Sequence, residues 1–210
     1  VKKVIILIFN LILAQFVLAQ QKAVTEKGEE VILLQDGTWK YVQENNNLDN
    51  EIKTNTSKFK KNDEATFLLK SNKVKIGFWL NSKIWSFKKA TNNSEAEYEL
   101  QLKDGDLYGM VISEKIQIPI ETLKSIAIKN ASEVAPDVKI MKEEYRIVNG
   151  IKVLLLQMNG TMQGISFSYL GYYYSNNSGT VQFVTYTSSN LLESYLPKIE
   201  SLLNGIVELN

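Results

Sequence analysis

The chain has 210 residues, with 24 Lys or Arg against 23 Asp or Glu, and a formal net charge of +1. It contains neither cysteine nor histidine, which excludes disulfides, histidine general-base catalysis and the usual zinc, copper and haem ligands. Positive and negative charges are mixed along the chain, whereas nucleic-acid binding needs a concentrated basic face. We therefore predict a non-enzyme with no catalytic residues, no cofactor, no metal site and no nucleic-acid partner.

The first 19 residues have the features of a secretory signal peptide in the expected order. Lys2 and Lys3 precede an apolar stretch, residues 4–18, and Ala19 follows as a small residue at the expected cleavage position. The alternative is an uncleaved membrane anchor, but the stretch falls short of the ~20 apolar residues that cross a bilayer. We expect cleavage after Ala19 and a periplasmic or secreted bacterial protein, with no membrane span after cleavage.

Residues 20–42 are predicted to form a small β-hairpin segment. Val31–Leu34 and Trp39–Val42 are strand-like, and the Asp-Gly dipeptide between them is a preferred turn sequence. Residues 43–63 are polar and have few apolar side chains to offset the entropy of ordering. We predict that they form a flexible linker.

The main domain, predicted to span residues 64–210, combines many strands with two helices. Its last four strand-like runs follow one another with short links, which predicts an antiparallel meander. In the run 151–158 both faces are apolar, so each face of the sheet needs a cover. The fold class is therefore α+β, an antiparallel β-sheet covered by helices, with the N-terminal hairpin as an appendage. The strand-like runs are 66–70, 74–80, 98–103, 107–113, 140–148, 151–158, 164–175 and 180–187, and helical spacing covers 119–131 and 191–206.

Two parts of this domain resemble PsbP-like domains. They are the stretch Ile76–Trp85, and the strand Gly179–Phe183 followed by the amphipathic C-terminal helix. The resemblance covers about Thr66 to Val207 and implies an α/β/α sandwich. In plants, PsbP belongs to the oxygen-evolving apparatus of photosystem II, and other relatives bind a small GTPase or have no assigned role. Function does not follow from this fold, and no functional residue of the family matches a position in this chain.

Arg146, the only arginine of the chain, is the first candidate binding residue. Its planar guanidinium can hold a carboxylate or a phosphate with two hydrogen bonds. The alternative is that Arg146 pairs with the neighbouring Glu143 or Glu144, or is solvated.

Aromatic residues supply the other candidates, namely Tyr172, Tyr174 and Trp79, since aromatic rings can stack on sugars or bases. On a strand, Tyr172 and Tyr174 share one face, while Tyr173 shares the other with Phe167 and Tyr169. The alternative is that all of these rings belong to the core. Asp104 and Asp106 could offer oxygens to calcium, but the further spaced acids of a calcium loop are missing, and a hairpin turn explains the pair.

Three functions remain open at this point. The preferred one is a non-enzymatic accessory or binding protein of the bacterial envelope, with an unidentified partner and an undetermined oligomeric state. The first alternative is a small-ligand-binding protein with an aromatic groove, which requires Arg146 to be part-buried without an acidic partner. The second alternative is a carboxylate-dependent hydrolase, which requires two acids about 5–9.5 Å apart across a cleft. The adjacent Glu143 and Glu144 cannot form that pair, because neighbours on a strand face opposite ways.

Overall fold

The computed structural model describes residues 21–25, 29–34, 36–41, 52–91 and 95–209. Residues 1–19, predicted as a signal peptide, and residues 43–51 of the predicted linker lie outside these ranges. The helices are α1 (Ile120–Val134) and α2 (Leu192–Leu203), the latter preceded by a 3-10 turn at Ser189–Leu191. The strands are β1 (Gln21–Val24), β2 (Glu30–Leu33), β3 (Trp39–Tyr41), β4 (Thr54–Phe59), β5 (Phe67–Lys70), β6 (Ile76–Leu80), β7 (Trp85–Lys89), β8 (Ala96–Leu102), β9 (Leu107–Glu114), β10 (Lys139–Val148), β11 (Ile151–Met162), β12 (Ile165–Asn176), β13 (Gly179–Ser188) and β14 (Ile206–Glu208).

The strands form three sheets. The largest has eight strands in the order β4-β10-β11-β12-β13-β9-β8-β7, and two three-stranded sheets have the orders β1-β2-β3 and β14-β6-β5. The predicted meander is the centre of the large sheet, where β10 to β13 pair with their sequence neighbours in antiparallel fashion. Asn149 and Gly150 turn the first of these hairpins with φ angles of 49° and 92°, as a tight two-residue turn requires.

The N-terminal hairpin is present and gains a third strand, β1, which the sequence analysis did not predict. Gly37 adopts a φ of 81° at the turn. The Asp36 carboxylate accepts a hydrogen bond of 2.9 Å from the Thr38 backbone N–H. Trp39 and Tyr41 remain about half exposed and contact each other edge to face, with their ring centroids 5.1 Å apart.

Three strands were not predicted from the sequence. β4 lies within the segment predicted as a flexible linker, yet it pairs in parallel with β10; as an edge strand it keeps its polar side chains in water. β7 pairs with β8 although only its first residue, Trp85, is buried. Ile206, predicted to continue the last helix, begins β14 after Gly205, whose backbone oxygen accepts a hydrogen bond from Trp79 N–H at 2.8 Å.

One face of the large sheet, called the closed face, is covered by a helix and a second sheet. α2 and the three-stranded sheet β14-β6-β5 lie against it and share one apolar core with it. The ring of Phe78, on β6, lies 4.8 Å from that of Phe183, on β13. Burying a side chain of this size stabilises the fold by about 1.5–3 kcal/mol. The sheet contributes to this core chiefly through Val153, Leu155, Tyr172 and Phe183.

Within the described part of the chain, a single helix lies against the opposite face, called the open face. α1 packs there through Leu123 and Ala127, and its main contacts are with β11 and β12. Leu154, Leu156 and Tyr173 complete this second core. The side chains of β9, β8 and β7 on the same face lie beyond the main contacts of α1. The open face is therefore less covered than the closed face, and the candidate site lies on the uncovered part.

Candidate functional site

Arg146, the first predicted binding residue, lies on the closed face and is buried. Its Nε donates a hydrogen bond of 2.6 Å to Glu144 Oε1, and its Nη1 donates one of 3.2 Å to Glu200 Oε1 on α2. Tyr172 lies beside it, with its hydroxyl 3.1 Å from the same Nη1. The Phe59 ring of β4 lies under the guanidinium, with its centroid 4.2 Å from Cζ.

This arrangement does not meet the condition of the small-ligand hypothesis. That hypothesis required Arg146 without an acidic partner, and the structure gives it two. Burial acts to raise the pKa of Glu144, but hydrogen bonds from Arg146 and Asn55 outweigh burial and hold that pKa below its ordinary value. The carboxylate therefore stays ionised at neutral pH, and Arg146 joins β4, β10 and α2 rather than facing a groove.

The other predicted site residues are also engaged in the fold. Tyr172 is fully buried and donates its hydroxyl proton to Asn204 Oδ1 at 2.8 Å. Tyr174 is buried and donates to Glu208. Trp79 lies on β6, half-buried, with Lys61 Nζ 5.3 Å from its ring centroid. The structure thus brings Arg146 and Tyr172 together but places Trp79 in a different sheet.

The open face carries a row of tyrosines that the sequence analysis did not assemble. Tyr169 on β12, Tyr186 on β13 and Tyr108 on β9 are direct cross-strand partners. The rings of Tyr108 and Tyr186 are stacked, with centroids 5.5 Å apart and planes inclined by 20°. The centroids of Tyr169 and Tyr186 lie 6.0 Å apart. All three rings are half-buried, so the row is held in place and still reaches the surface.

Two cavities adjoin this row and share Tyr108 and Tyr186 as lining residues. We call the two together the tyrosine trough. The larger cavity, about 460 Å³, has a mainly apolar lining, and the smaller, about 320 Å³, has a mainly polar one. Cavities of ~300–1,000 Å³ with aromatic walls and a few polar groups are typical of ligand sites. The larger cavity is lined by the tyrosine row with Met110, Met162, Ile165, Phe167, Leu191, Asp106, Thr187 and Ser188, and the smaller by Tyr108 and Tyr186 with Ser86, Phe87, Lys88, Glu99, Leu100 and Gln101.

The phenol groups of the trough are protonated at physiological pH. Burial raises the pKa of Tyr169. Burial, together with the nearby Glu99 carboxylate, raises that of Tyr186. Both phenols therefore keep their protons and can donate hydrogen bonds. Lys88 and Glu99 form an ion pair of 2.9 Å across β7 and β8, so their charges compensate each other.

Among the described residues, one acidic side chain lines each cavity, Asp106 in the larger and Glu99 in the smaller. Neither cavity alone therefore has the two carboxylates that a hydrolase of the type considered above would place around one substrate bond, and Glu99 is already paired with Lys88. Within the described ranges, no cluster of three or more acidic side chains could hold a metal ion. Across those same ranges, every helix is too short or too polar to cross a membrane.

Sequence reasoning noted Tyr169 and Phe167 but attributed them to the core with the Tyr172–Tyr174 run. Tyr108 and Tyr186 were missed altogether. The alternation of neighbours along each strand was the available signal. In Leu107-Tyr108-Gly109 and in Thr185-Tyr186-Thr187, the residues on either side of the tyrosine are buried, and the tyrosine side chain lies on the other face of the sheet from them. Only the pairing of β9 with β13 shows that the two rings meet.

Comparison with known proteins supports the fold alone. No family model matches the chain, and no curated protein matches it. The solution structure of cyanobacterial PsbP (CyanoP) from Synechocystis sp. PCC 6803 is similar, with a TM-score of 0.53 and 12% identity over 68% of this chain and 91% of that one. A crystal structure of a protein of unknown function from Pseudomonas aeruginosa gives a TM-score of 0.44 and 13% identity, over 60% of this chain and 83% of that one.

Proposed function

We propose that the chain is an exported, non-enzymatic accessory protein that binds a component of the bacterial envelope through the tyrosine trough. Its fold is PsbP-like, as the sequence resemblance predicted. The observation that carries this proposal is the row Tyr169, Tyr186 and Tyr108, which lies across three strands beside two cavities. Aromatic side chains combine a large apolar surface with a hydroxyl tip, which suits them to recognition surfaces.

The residue chemistry supports binding rather than catalysis. The chain has no histidine or cysteine to serve as base or nucleophile, and each trough cavity has one carboxylate. The proposed architecture is an α/β/α sandwich in which the open face, less covered than the closed one, is the working surface. A main domain that includes β4, which pairs with β10 in the large sheet, and a signal peptide over residues 1–19 complete the proposal. Mass spectrometry of the exported protein should find Gln20 as its first residue.

The function is tested with the protein expressed as the whole chain and tagged at its C terminus. Proteins and glycans captured from envelope extract are compared for the wild type and for the double variant Tyr108→Ala/Tyr186→Ala. The matched control is Trp39→Ala/Tyr41→Ala, which removes two contacting exposed rings outside the trough. We expect the trough variant alone to lose the captured component. Equal capture by all three proteins would refute the trough as the binding surface, provided that urea unfolding shows each variant to be folded.

A further inference from the structure

We infer that the tyrosine trough binds a linear, neutral oligosaccharide, with one pyranose ring stacked on Tyr108. This inference rests on the proposed function, since it names the chemical class of the component that the same surface binds. It comes from four features of the trough, namely the second ring face of Tyr108, the hydrogen-bonding side chains beside it, the balance of charge, and the length of the row.

The second ring face follows from the cross-strand register. Tyr108 lies between Tyr186 on one neighbouring strand and Gln101 on the other. Since one face of the Tyr108 ring is stacked on Tyr186, its other face is turned toward Gln101, where the smaller cavity lies. The face of an aromatic ring is negative and attracts the partly positive C–H groups that line one side of a pyranose ring.

The polar side chains of the smaller cavity match the hydroxyl edge of a sugar. Ser86, Gln101 and Glu99 supply a hydroxyl, an amide and a carboxylate. Gln101 and Ser86 are cross-strand partners, and Gln101 is the partner of Tyr108 on its other side, so donors and acceptors are aligned with the ring. Ser86 Oγ donates a hydrogen bond of 3.1 Å to the backbone oxygen of Gln101, and Glu99 is paired with Lys88, but both side chains can still accept further hydrogen bonds. A ligand that carries hydroxyl groups can use this remaining capacity, whereas a purely aromatic or aliphatic ligand cannot.

The charge of the trough excludes an anionic ligand. Among the residues that the structure describes, Lys88 is the one cationic side chain that lines either cavity, and it is already paired with Glu99 at 2.9 Å. A phosphate or carboxylate would meet Asp106 and Glu99 without a free cation to compensate. A neutral, hydroxyl-rich ligand has no such cost.

The length of the trough favours an oligosaccharide over a monosaccharide. The row of side chains runs from Tyr169 through Tyr186, Tyr108 and Gln101 to Ser86. It therefore crosses five strands and covers about 19 Å at a strand spacing of ~4.8 Å. Several linked pyranose rings fit along this length, with the larger, apolar cavity at one end and the smaller, polar cavity at the other.

The test is a titration of the purified whole chain with three neutral oligosaccharides, cellohexaose, maltohexaose and hexa-N-acetylchitohexaose, followed by calorimetry and by NMR chemical shifts. We expect at least one of the three to bind. Tyr108→Ala should weaken that binding by roughly tenfold or more, because the loss of one stacking ring has an effect of this size. Tyr108→Phe should retain binding, since it keeps the ring, and Tyr41→Ala should leave the affinity unchanged.

Two results would overturn the inference. Absence of binding by all three oligosaccharides at millimolar concentration would do so, as would binding that Tyr108→Ala leaves unaltered. If Tyr108→Ala does not fold, the chemical shifts of the wild type decide instead, since the strands β8, β9 and β13 must carry the perturbed signals. Capture from envelope extract that depends on Tyr108 and Tyr186, without oligosaccharide binding, would leave the proposed function standing and remove only the saccharide.

Discussion

Replacing Arg146 by alanine tests the buried network on the closed face. The side chains of Arg146 and Glu144 are 5% and 15% exposed and 2.6 Å apart, whereas that of Glu200 is 46% exposed. Removing one partner of a buried pair costs about 3–5 kcal/mol, and without Arg146 the Glu144 carboxylate would keep only the Asn55 amide and the half-exposed Lys142. The half-exposed Glu200 adds little to this cost. We therefore expect Arg146→Ala to lower the free energy of unfolding by about 3–5 kcal/mol, a large part of the ~5–15 kcal/mol of a typical domain.

Urea unfolding at neutral pH, followed by tryptophan fluorescence, measures this loss as a lower midpoint at an unchanged slope. Lys142→Ala is the matched control, because Lys142 Nζ lies 3.4 Å from the same Glu144 oxygen but its side chain is 48% exposed. Its loss should be about 0–1 kcal/mol. If Arg146→Ala costs no more than Lys142→Ala, the network does not stabilise the fold and the reasoning fails.

The same network predicts a pH dependence. The pKa of Glu144 in the folded protein lies below its ordinary value of 4.5. The stability that the ionised Glu144 carboxylate contributes is therefore complete above its ordinary pKa of 4.5. That stability is lost as the pH falls through the lower pKa of the folded protein. Glu144→Gln should flatten this part of an acid-unfolding curve. An unchanged curve would show that another carboxyl group controls acid stability.

Three further changes have definite expected outcomes. Gly205→Ala should destabilise the protein by about 1–3 kcal/mol or more in urea unfolding, because a Cβ would lie 1.9 Å from the backbone oxygen of Trp79; a neutral result would refute this contact. Ser113→Ala should leave the urea midpoint unchanged or raise stability by up to about 1 kcal/mol, because its buried hydroxyl has no hydrogen-bond partner among the described residues. A clear loss of stability would contradict this expectation. Burial and the hydrogen bond to Glu208 raise the pKa of Tyr174 from its ordinary value of 10.0 to about 12. The stability that the protonated phenol contributes is therefore complete below pH 10 and is lost as the pH rises through about 12. Tyr174→Phe should therefore flatten that part of an alkaline unfolding curve measured by circular dichroism, and an identical curve would contradict the assignment.

The secondary structure of the central strands was predictable because the signals are local. Residues 151–158 are apolar on both faces, and Asn149-Gly150 specifies its own turn. β4 could not be predicted, because a polar sequence becomes an edge strand only when β10 offers it backbone partners. β7 was missed for a similar reason, since it has one buried side chain and gains its strand conformation from pairing with β8.

The sites differ in what sequence could reveal. Arg146 was identified as unusual by its residue type alone, but Glu200 lies 54 positions away on a helix, and sequence gives no measure of that proximity. The tyrosine row depends on the register of three strands. A shift of one residue in any of them would turn a tyrosine to the closed face, so the row is a property of the assembled sheet.

The location of the trough follows from the number of elements that cover each face. A helix is about 10–12 Å wide with its side chains, and strands are ~4.8 Å apart, so one helix covers about two strands. α1 accordingly makes its main contacts with β11 and β12, whereas the closed face has both α2 and a second sheet against it. A sheet face left to water should carry polar side chains, and Glu99, Gln101 and Lys88 fit that expectation. The tyrosines lie between the strands that α1 covers and the strands with polar side chains, β8 and β7. In this position one side of each ring packs against the core, and the other side can contact a ligand.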